Sequence, residues 1–196
     1  MRRLLPFIAL LLICATASAQ LFKKKERNVE PQYSAGTIPV ANGKVTFEET
    51  IPAESLTAPQ IEERINNWIA TRFVEPTIIS IKRFDTDKPS TAIIKGEEYI
   101  VFKDKFFVLS RARIYYYLTL TAGDGQCTFN MSRITYWYDD EDEKGGLKMK
   151  AEEWITDEYA FNNKGGLKKF EGKFRRKTIE LKESLIEDLK KELDKK

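Results

Sequence analysis

The alternation of apolar and polar positions along the chain predicts an antiparallel sheet. Residues 44–51 alternate with a period of two, which is typical of a strand that buries one face. Four runs rich in β-branched and aromatic residues follow, at 77–84, 91–102, 106–121 and 126–138. Short polar breaks separate them, and Gly123-Asp124-Gly125 is a strong hairpin signal because these residues tolerate positive φ. Such short connections predict that neighbouring strands are antiparallel.

Two longer segments have the apolar spacing of helices. After Thr57, which has the spacing of a capping box with Gln60, one apolar stripe is formed by Ile61, Ile65, Trp68, Ile69 and Phe73. From 177 to 193 a second stripe is formed by Ile179, Ile186, Leu189 and Leu193, with Leu181 and Leu185 beside it. A short helix is expected at 151–161, with Ala151, Trp154, Ile155 and Tyr159 inward. The pattern predicts an α+β fold in β-α-β-β-β-β-α order, with an antiparallel sheet and the helices on one face.

The first 19 residues have the organisation of a signal peptide. Arg2 and Arg3 precede an apolar run at 4–14, and Ala17-Ser18-Ala19 supplies small residues, so we expect cleavage between Ala19 and Gln20. The apolar run is shorter than the roughly 20 residues of a bilayer-spanning helix, so no transmembrane segment is expected after signal removal. Residues 20–43 lack apolar periodicity and are interpreted as a flexible N-terminal tether. Residues 44–196 then form a single domain.

Charge and composition exclude several classes of function. The chain has 33 Lys and Arg against 30 Asp and Glu, and removing Arg2 and Arg3 with the signal leaves 31 against 30. A balanced chain offers no excess of cations for phosphates, so nucleic acid is not an expected partner. Histidine is absent, which removes His-based catalytic triads and the commonest zinc ligand, and no cofactor is expected. Cys127 would be the one cysteine of the mature chain, and its parity with Phe129 predicts a buried structural thiol.

Two parts of the sequence resemble a known bacterial family. They are VTFEETIPAESLTAPQIEERINNWIATRF with the strand-rich region after it, and AEEWITDEYAFNNKGGLKKFEGKFRRKTIELKESL at 151–185. Together with the exported leader they are similar to the domain of unknown function four-four-six-eight, a family with a TATA-binding-protein-like fold. The shared residues are core and turn residues, so the resemblance implies a fold and carries no site residues.

One face of the predicted sheet is the strongest candidate for a binding surface. In the run 112–121 the apolar set Ile114, Tyr116, Leu118 and Leu120 alternates with Arg113, Tyr115, Tyr117, Thr119 and Thr121. Thr128 and Asn130 occupy the polar side of the next run, where a change of parity predicts a bulge near Ser132 or Arg133. We call the candidate set Arg113, Tyr115, Tyr117, Thr119, Thr128 and Asn130 the open face. Its rings, hydroxyls and guanidinium suit a peptide or glycan, whereas the alternative is an ordinary solvated strand face or one covered by the C-terminal segment.

Two charged segments suggest sites that their spacing does not support. In the acidic run 139–143, Asp140 would begin a calcium loop, but Lys144 and Ala151 stand where ligands are required, so a solvated loop is favoured. The basic cluster Lys173, Arg175, Arg176 and Lys177 would suit an anionic group, yet its acidic neighbours favour a solvated patch. No metal site is predicted.

The sequence therefore favours an exported, non-catalytic binding or structural module of the envelope of a Gram-negative bacterium, periplasmic or secreted. Its expected partner is an envelope protein, a peptide or a glycan. The alternative is a hydrolase that acts on an envelope polymer or glycan with two carboxylates, which needs neither histidine nor a metal. A structural component that assembles through its C-terminal helix is a third hypothesis.

Overall fold

The computed structural model describes residues 29–74, 77–105 and 108–195. The predicted signal peptide, its cleavage site at Ala19 and Gln20, and the first part of the predicted tether therefore lie outside the described residues.

An antiparallel sheet of seven strands forms the centre of the described chain. The strands are β1 (Val40–Ala41), β2 (Lys44–Pro52), β3 (Ile78–Phe84), β4 (Thr91–Lys105), β5 (Val108–Gly123), β6 (Gln126–Tyr138) and β7 (Leu147–Lys150). They lie side by side in the order β1-β2-β6-β5-β4-β3. Strand β6 pairs with β5 along one edge, while its other edge pairs first with β2 and then with β7. The sheet is therefore widest around β6.

In the described residues three α-helices accompany the sheet: α1 (Ala58–Arg72), α2 (Asp157–Ala160) and α3 (Glu171–Leu193). Helix α1 begins where predicted because its first amides have acceptors. Gln60 Oε1 accepts the backbone N–H of Thr57 at 2.9 Å, and Asp124 Oδ1 accepts that of Ala58 at 2.8 Å. Asp124 belongs to the turn between β5 and β6, so the hairpin signal of the sequence also caps the helix.

The hydrophobic core lies between the sheet and helices α1 and α3. The predicted inward set of β5, Ile114, Tyr116, Leu118 and Leu120, is completely buried. The stripes of the two helices are buried against it, with Trp68 at 2% exposure and Leu185 and Leu189 at 0%. Near the N-terminus of α3, Phe174 contacts an aromatic cluster made of Phe102, Tyr136, Tyr138, Trp154 and Phe170. The α+β fold with helices on one face is thus confirmed.

Several local predictions differ from the structure. Strands β1 and β7 were not predicted, because each is too short to show a period. Residues 151–161 form a 3-10 turn at Ala151–Glu153 followed by α2, and Tyr159 is 38% exposed instead of inward. Helix α3 begins at Glu171, six residues before the predicted start.

The predicted flexible tether is wrong for residues 29–43, which pack on the domain. Tyr33 and Ile38 are both 8% exposed and belong to the core. The guanidinium of Arg175 donates hydrogen bonds to the carbonyl oxygens of Tyr33 and Ser34 and to Oγ1 of Thr37. The prediction failed because this segment is held partly through its backbone carbonyl oxygens. Contacts of this kind do not depend on the pattern of side chains, so the sequence does not show them.

The same contacts correct the prediction of a solvated basic patch for Arg175, which lies within α3, whereas Lys173, Arg176 and Lys177 are half-buried. Arg175 is 0% exposed, and it also donates to the carbonyl oxygen of Ile155 at 2.7 Å and pairs with Asp157 at 2.8 Å. Burial lowers the pKa of its guanidinium, while Asp157 opposes that change. Arg175 therefore joins the N-terminal segment, α2 and α3.

Candidate functional site

The six predicted residues of the open face lie together on the side of the sheet opposite the helices. Arg113, Tyr115, Tyr117 and Thr119 stand on β5, and Thr128 and Asn130 on β6. Antiparallel pairing sets Thr119 beside Asn130 and sets Thr128 beside Thr121. All six side chains are half-buried, in contrast to the buried residues that alternate with them. Helix α3 packs on the other side, so the C-terminal segment does not cover this face.

A bulge in β6 interrupts the open face where the sequence predicted it. Pairing with β5 shifts between Tyr115 and Tyr117, and Arg133 has a φ of 52°. The extra residue changes the parity of the strand, so Ile134 and Tyr136 are buried while Arg133 is exposed. The bulge therefore places Ile134 in the core and Arg133 on the open side of the sheet.

A groove of about 760 Å³ lies on the open face beside this bulge. Its aromatic lining consists of the half-buried Tyr115, Tyr117 and Trp137 and the buried Tyr136. Its charged lining is Lys95, Arg133, Lys148 and Lys150, with Glu153 as the acidic member. The groove combines flat rings with an excess of positive charge, because four cations face one carboxylate.

Three of the cations lie over aromatic rings. Lys95 Nζ is 5.7 Å from the ring centre of Tyr115, and the guanidinium carbon of Arg133 is 5.1 Å from that of Tyr117. Lys148 Nζ is 4.5 Å from the ring centre of Trp137. Such contacts position a cation without neutralising it, since a ring carries no net charge.

Arg113 lies at one end of the open face between two carboxylates. Its Nη1 is 3.3 Å from Oε1 of Glu97, and its Nε pairs with Oδ2 of Asp140. Burial would lower the pKa of Arg113, but Asp140, Tyr99 and Glu97 raise it above its usual value. Burial and the neighbouring Glu97 also raise the pKa of Tyr115. Arg113 is thus already neutralised and differs from the cations of the groove.

The acidic run after β6 is only partly the solvated loop that was predicted. The side chain of Asp140 is 7% exposed and is bound by Arg113, while Glu141 is 78% exposed and pairs with Arg111 at 3.1 Å. Asp142 Oδ1 accepts the backbone N–H of Lys144 at 2.6 Å. Over residues 29–74, 77–105 and 108–195, no group of three or more acidic or cysteine side chains is arranged to hold a metal ion.

The remaining candidate groups lie on the helix side of the sheet. Cys127 is fully buried, and burial raises the pKa of its thiol to about 12. Glu98, 3% exposed, accepts a hydrogen bond from the hydroxyl of Tyr116 and lies 3.7 Å from Arg72. Burial raises the pKa of Glu98, although Tyr116 and Arg72 oppose the change. Neither group reaches the open face.

The sequence prediction missed most residues of the groove: Arg133 and Trp137 on β6, Lys95 on β4, and Lys148 and Lys150 on β7. Trp137 could have been found, because it alternates with the buried Tyr136 and the partly buried Tyr138 once the bulge is placed. Lys148 and Lys150 had no signal, since β7 was not predicted. Lys95 has the correct parity in β4, and the short break between the runs 91–102 and 106–121 predicted that β4 pairs with β5. Lys95 was nevertheless not included in the candidate set.

An antiparallel sheet with helices on one face and a half-exposed opposite face defines an α+β protein. Residues 47–137 match the family model described as "Domain of unknown function (DUF4468) with TBP-like fold". A crystal structure of a DUF4468 family protein from Bacteroides ovatus is 30% identical, with a TM-score of 0.74. That match covers 84% of this chain and 95% of the other. The chain belongs to the DUF4468 family.

A second solved structure agrees with this fold. It is a TBP-like protein from Parabacteroides distasonis, 22% identical with a TM-score of 0.64, and the match covers 80% of this chain and 96% of that one. No curated protein matches the chain. In the described residues, no helix combines the length and the apolar character needed to cross a bilayer.

Proposed function

We propose that this chain is an exported, non-catalytic binding module of a bacterial envelope, and that it holds its ligand against the open face of the sheet. The contrast between the two faces carries the proposal. One face is buried under α1 and α3, so its side chains serve stability. The other presents half-exposed rings and hydroxyls beside a groove of about 760 Å³, within the range typical of ligand sites.

The chemistry of the groove supports binding more than catalysis. Its one carboxylate, Glu153, lies 3.4 Å from Lys150, whereas glycoside hydrolysis needs two carboxyl groups flanking the bond. Glu97 and Asp140 lie nearby, but both are paired with Arg113. The nucleophile Cys127 is buried on the other face.

A binding panel tests the proposal. The mature chain, beginning at Gln20, is measured against immobilised glycans and peptides, together with the double variant Tyr115→Ala/Tyr117→Ala. We expect the variant to lose about tenfold or more in affinity, because aromatic side chains at the centre of an interface carry much of the binding energy. Tyr159→Ala is the control, since Tyr159 is exposed away from the open face.

Two results would contradict the proposal. Unchanged binding of the double variant would remove the open face as the site. Turnover of any glycan in the panel, measured as released reducing ends, would favour the hydrolase hypothesis instead.

Export is tested separately. A C-terminally tagged full chain expressed in a Bacteroides host is expected in the envelope fraction, with Gln20 as its first residue by mass spectrometry. A cytoplasmic chain that retains residues 1–19 would contradict this part of the proposal.

A further inference from the structure

We propose that the groove on the open face binds an acidic glycan segment, and that Lys95, Arg133 and Lys148 contact its negative groups. This inference rests on the proposed function and names the class of ligand for that same site.

Among the described residues, these three cations lack acidic partners. In the described part of the chain, Lys95, Arg133 and Lys148 form no ion pair within 4.0 Å, and their side chains donate no hydrogen bond to the protein. Lys150 pairs with Glu153, but both are 61% exposed, and such surface pairs contribute little. Because the mature chain is nearly neutral, this excess is local.

The cations are also held in place. Each lies over a ring, so part of the entropy cost of ordering a long side chain is met before a ligand binds. Arg133 also occupies a backbone conformation that non-glycine residues rarely adopt. Strain of this kind is common at binding sites.

The cations are too far apart to contact one small anion. Lys95 stands on β4 and Lys148 on β7, which are separated by β5 and β6. Three strand spacings correspond to about 14 Å across the sheet, since neighbouring strands lie about 4.8 Å apart. The two residues are also offset along the strands, because Lys95 pairs with Tyr117 whereas Lys148 pairs with Trp137. A single small anion cannot span that distance, whereas a chain with repeated acidic groups can.

The polar residues beside the groove favour a glycan over an acidic peptide. Beyond the groove the open face continues as Thr119, Thr121, Thr128 and Asn130. Hydroxyl and amide groups match the hydroxyls of sugars, whereas an extended peptide needs pockets for alternate side chains. The rings of Tyr115, Tyr117 and Trp137 provide flat surfaces for sugar rings.

Calorimetry with three probes tests the inference: heptagalacturonate, its methyl ester, and hepta-glutamate. The methyl ester keeps the sugar backbone and removes the charge. We expect heptagalacturonate to bind at least about tenfold more tightly than the other two. We also expect its affinity to fall about tenfold or more between 50 and 200 mM salt, because forming about three ionic contacts releases counterions and added salt opposes that release.

The variant Lys95→Gln/Arg133→Gln/Lys148→Gln should lose this affinity by about tenfold or more. The matched control is Lys88→Gln/Lys164→Gln/Lys169→Gln, which removes the same charge from exposed positions outside the groove. The salt and ester comparisons use the unaltered chain, so a folding defect in a variant cannot decide the outcome.

The possible failures are distinguishable. Equal binding of the acid and its ester, still dependent on Tyr115 and Tyr117, would overturn the acidic ligand and leave the proposed function intact. Tighter binding of hepta-glutamate would overturn the glycan. No binding of heptagalacturonate would overturn this inference, while the wider panel decides the proposed function.

Discussion

Arg175 shows how much one side chain can hold together. It is fully buried, and its guanidinium reaches three carbonyl oxygens, one hydroxyl and one carboxylate that come from separate segments. Arginine suits this role because its planar group presents five donors in a fixed arrangement. Lysine could not replace these contacts.

The first prediction concerns this residue. Arg175→Ala should lower the free energy of unfolding by about 3 kcal/mol or more, because it leaves buried carbonyl oxygens without donors. Denaturant unfolding followed by tryptophan fluorescence measures the change. Arg64→Ala is the control, because Arg64 makes an exposed hydrogen bond to the carbonyl oxygen of Lys195 and should change stability by less than about 0.5 kcal/mol. Similar losses in both variants would contradict the role of Arg175.

The second prediction concerns Gly96, whose partner across β4 and β5 is Tyr116. A Cβ atom at this position would lie 2.6 Å from Cζ of the buried Tyr116 ring. Gly96→Ala should therefore destabilise the chain by about 1 to 3 kcal/mol, because Tyr116 must move away from Glu98. In Gly123→Ala the new Cβ would meet nothing nearer than 3.7 Å. The midpoint temperature of thermal unfolding should therefore be unchanged or slightly raised. Equal stability of the two variants would refute the packing argument.

At the scale of elements, the bulge in β6 decides which side chains face the groove. Without the extra residue, strict alternation after Met131 would direct Arg133 inward and Ile134 outward. The bulge buries Ile134 and exposes Arg133, at the cost of a positive φ. The strained backbone of Arg133 is thus coupled both to the packing of Ile134 and to the lining of the groove.

The third prediction tests this coupling. Arg133→Gly should be more stable than Arg133→Ala by about 1 kcal/mol, since glycine adopts positive φ without strain. At Ser132, which lacks a positive φ, the order should reverse, with Ser132→Ala more stable than Ser132→Gly. Chemical denaturation of the four variants gives the comparison. The same order at both positions would show that the bulge conformation is not strained.

For the molecule as a whole, the N-terminal segment belongs to the folded domain. Tyr33 and Ile38 are part of the core, and β1 adds to the edge of the sheet beside β2. The lower domain boundary therefore lies before residue 44, which was the predicted start.

The fourth prediction follows from this boundary. A chain that begins at Lys44 should be less stable than one that begins at Gln20 by about 3 kcal/mol or more, because burying a large apolar side chain contributes about 1.5 to 3 kcal/mol. Calorimetric melting of the two chains tests it. Arg175→Ala should destabilise the shorter chain less than the longer one, because the shorter chain lacks three of the acceptors of Arg175. If the losses of stability from the truncation and from Arg175→Ala were fully additive, the contact between Arg175 and residues 29–43 would be contradicted.

The sequence by itself determined most of the buried apolar side chains of the long strands and of helices α1 and α3. Ile61, Trp68, Ile114, Leu118 and Leu189 were assigned inward from their periods, and the structure buries each of them. This succeeds because the pleat of a strand and the pitch of a helix are local properties of the backbone. The hairpin at Gly123-Asp124-Gly125 and the bulge near Arg133 were predictable for the same reason.

Only the tertiary structure decided which elements that are distant in the sequence are neighbours. It set β6 between β5, β2 and β7, and so assembled the groove from Lys95, Arg133 and Lys148 on three strands. It also joined Arg175 to carbonyl oxygens about 140 positions away. Lateral strand order and contacts to the backbone arise from long-range packing, which leaves no periodic trace in the sequence.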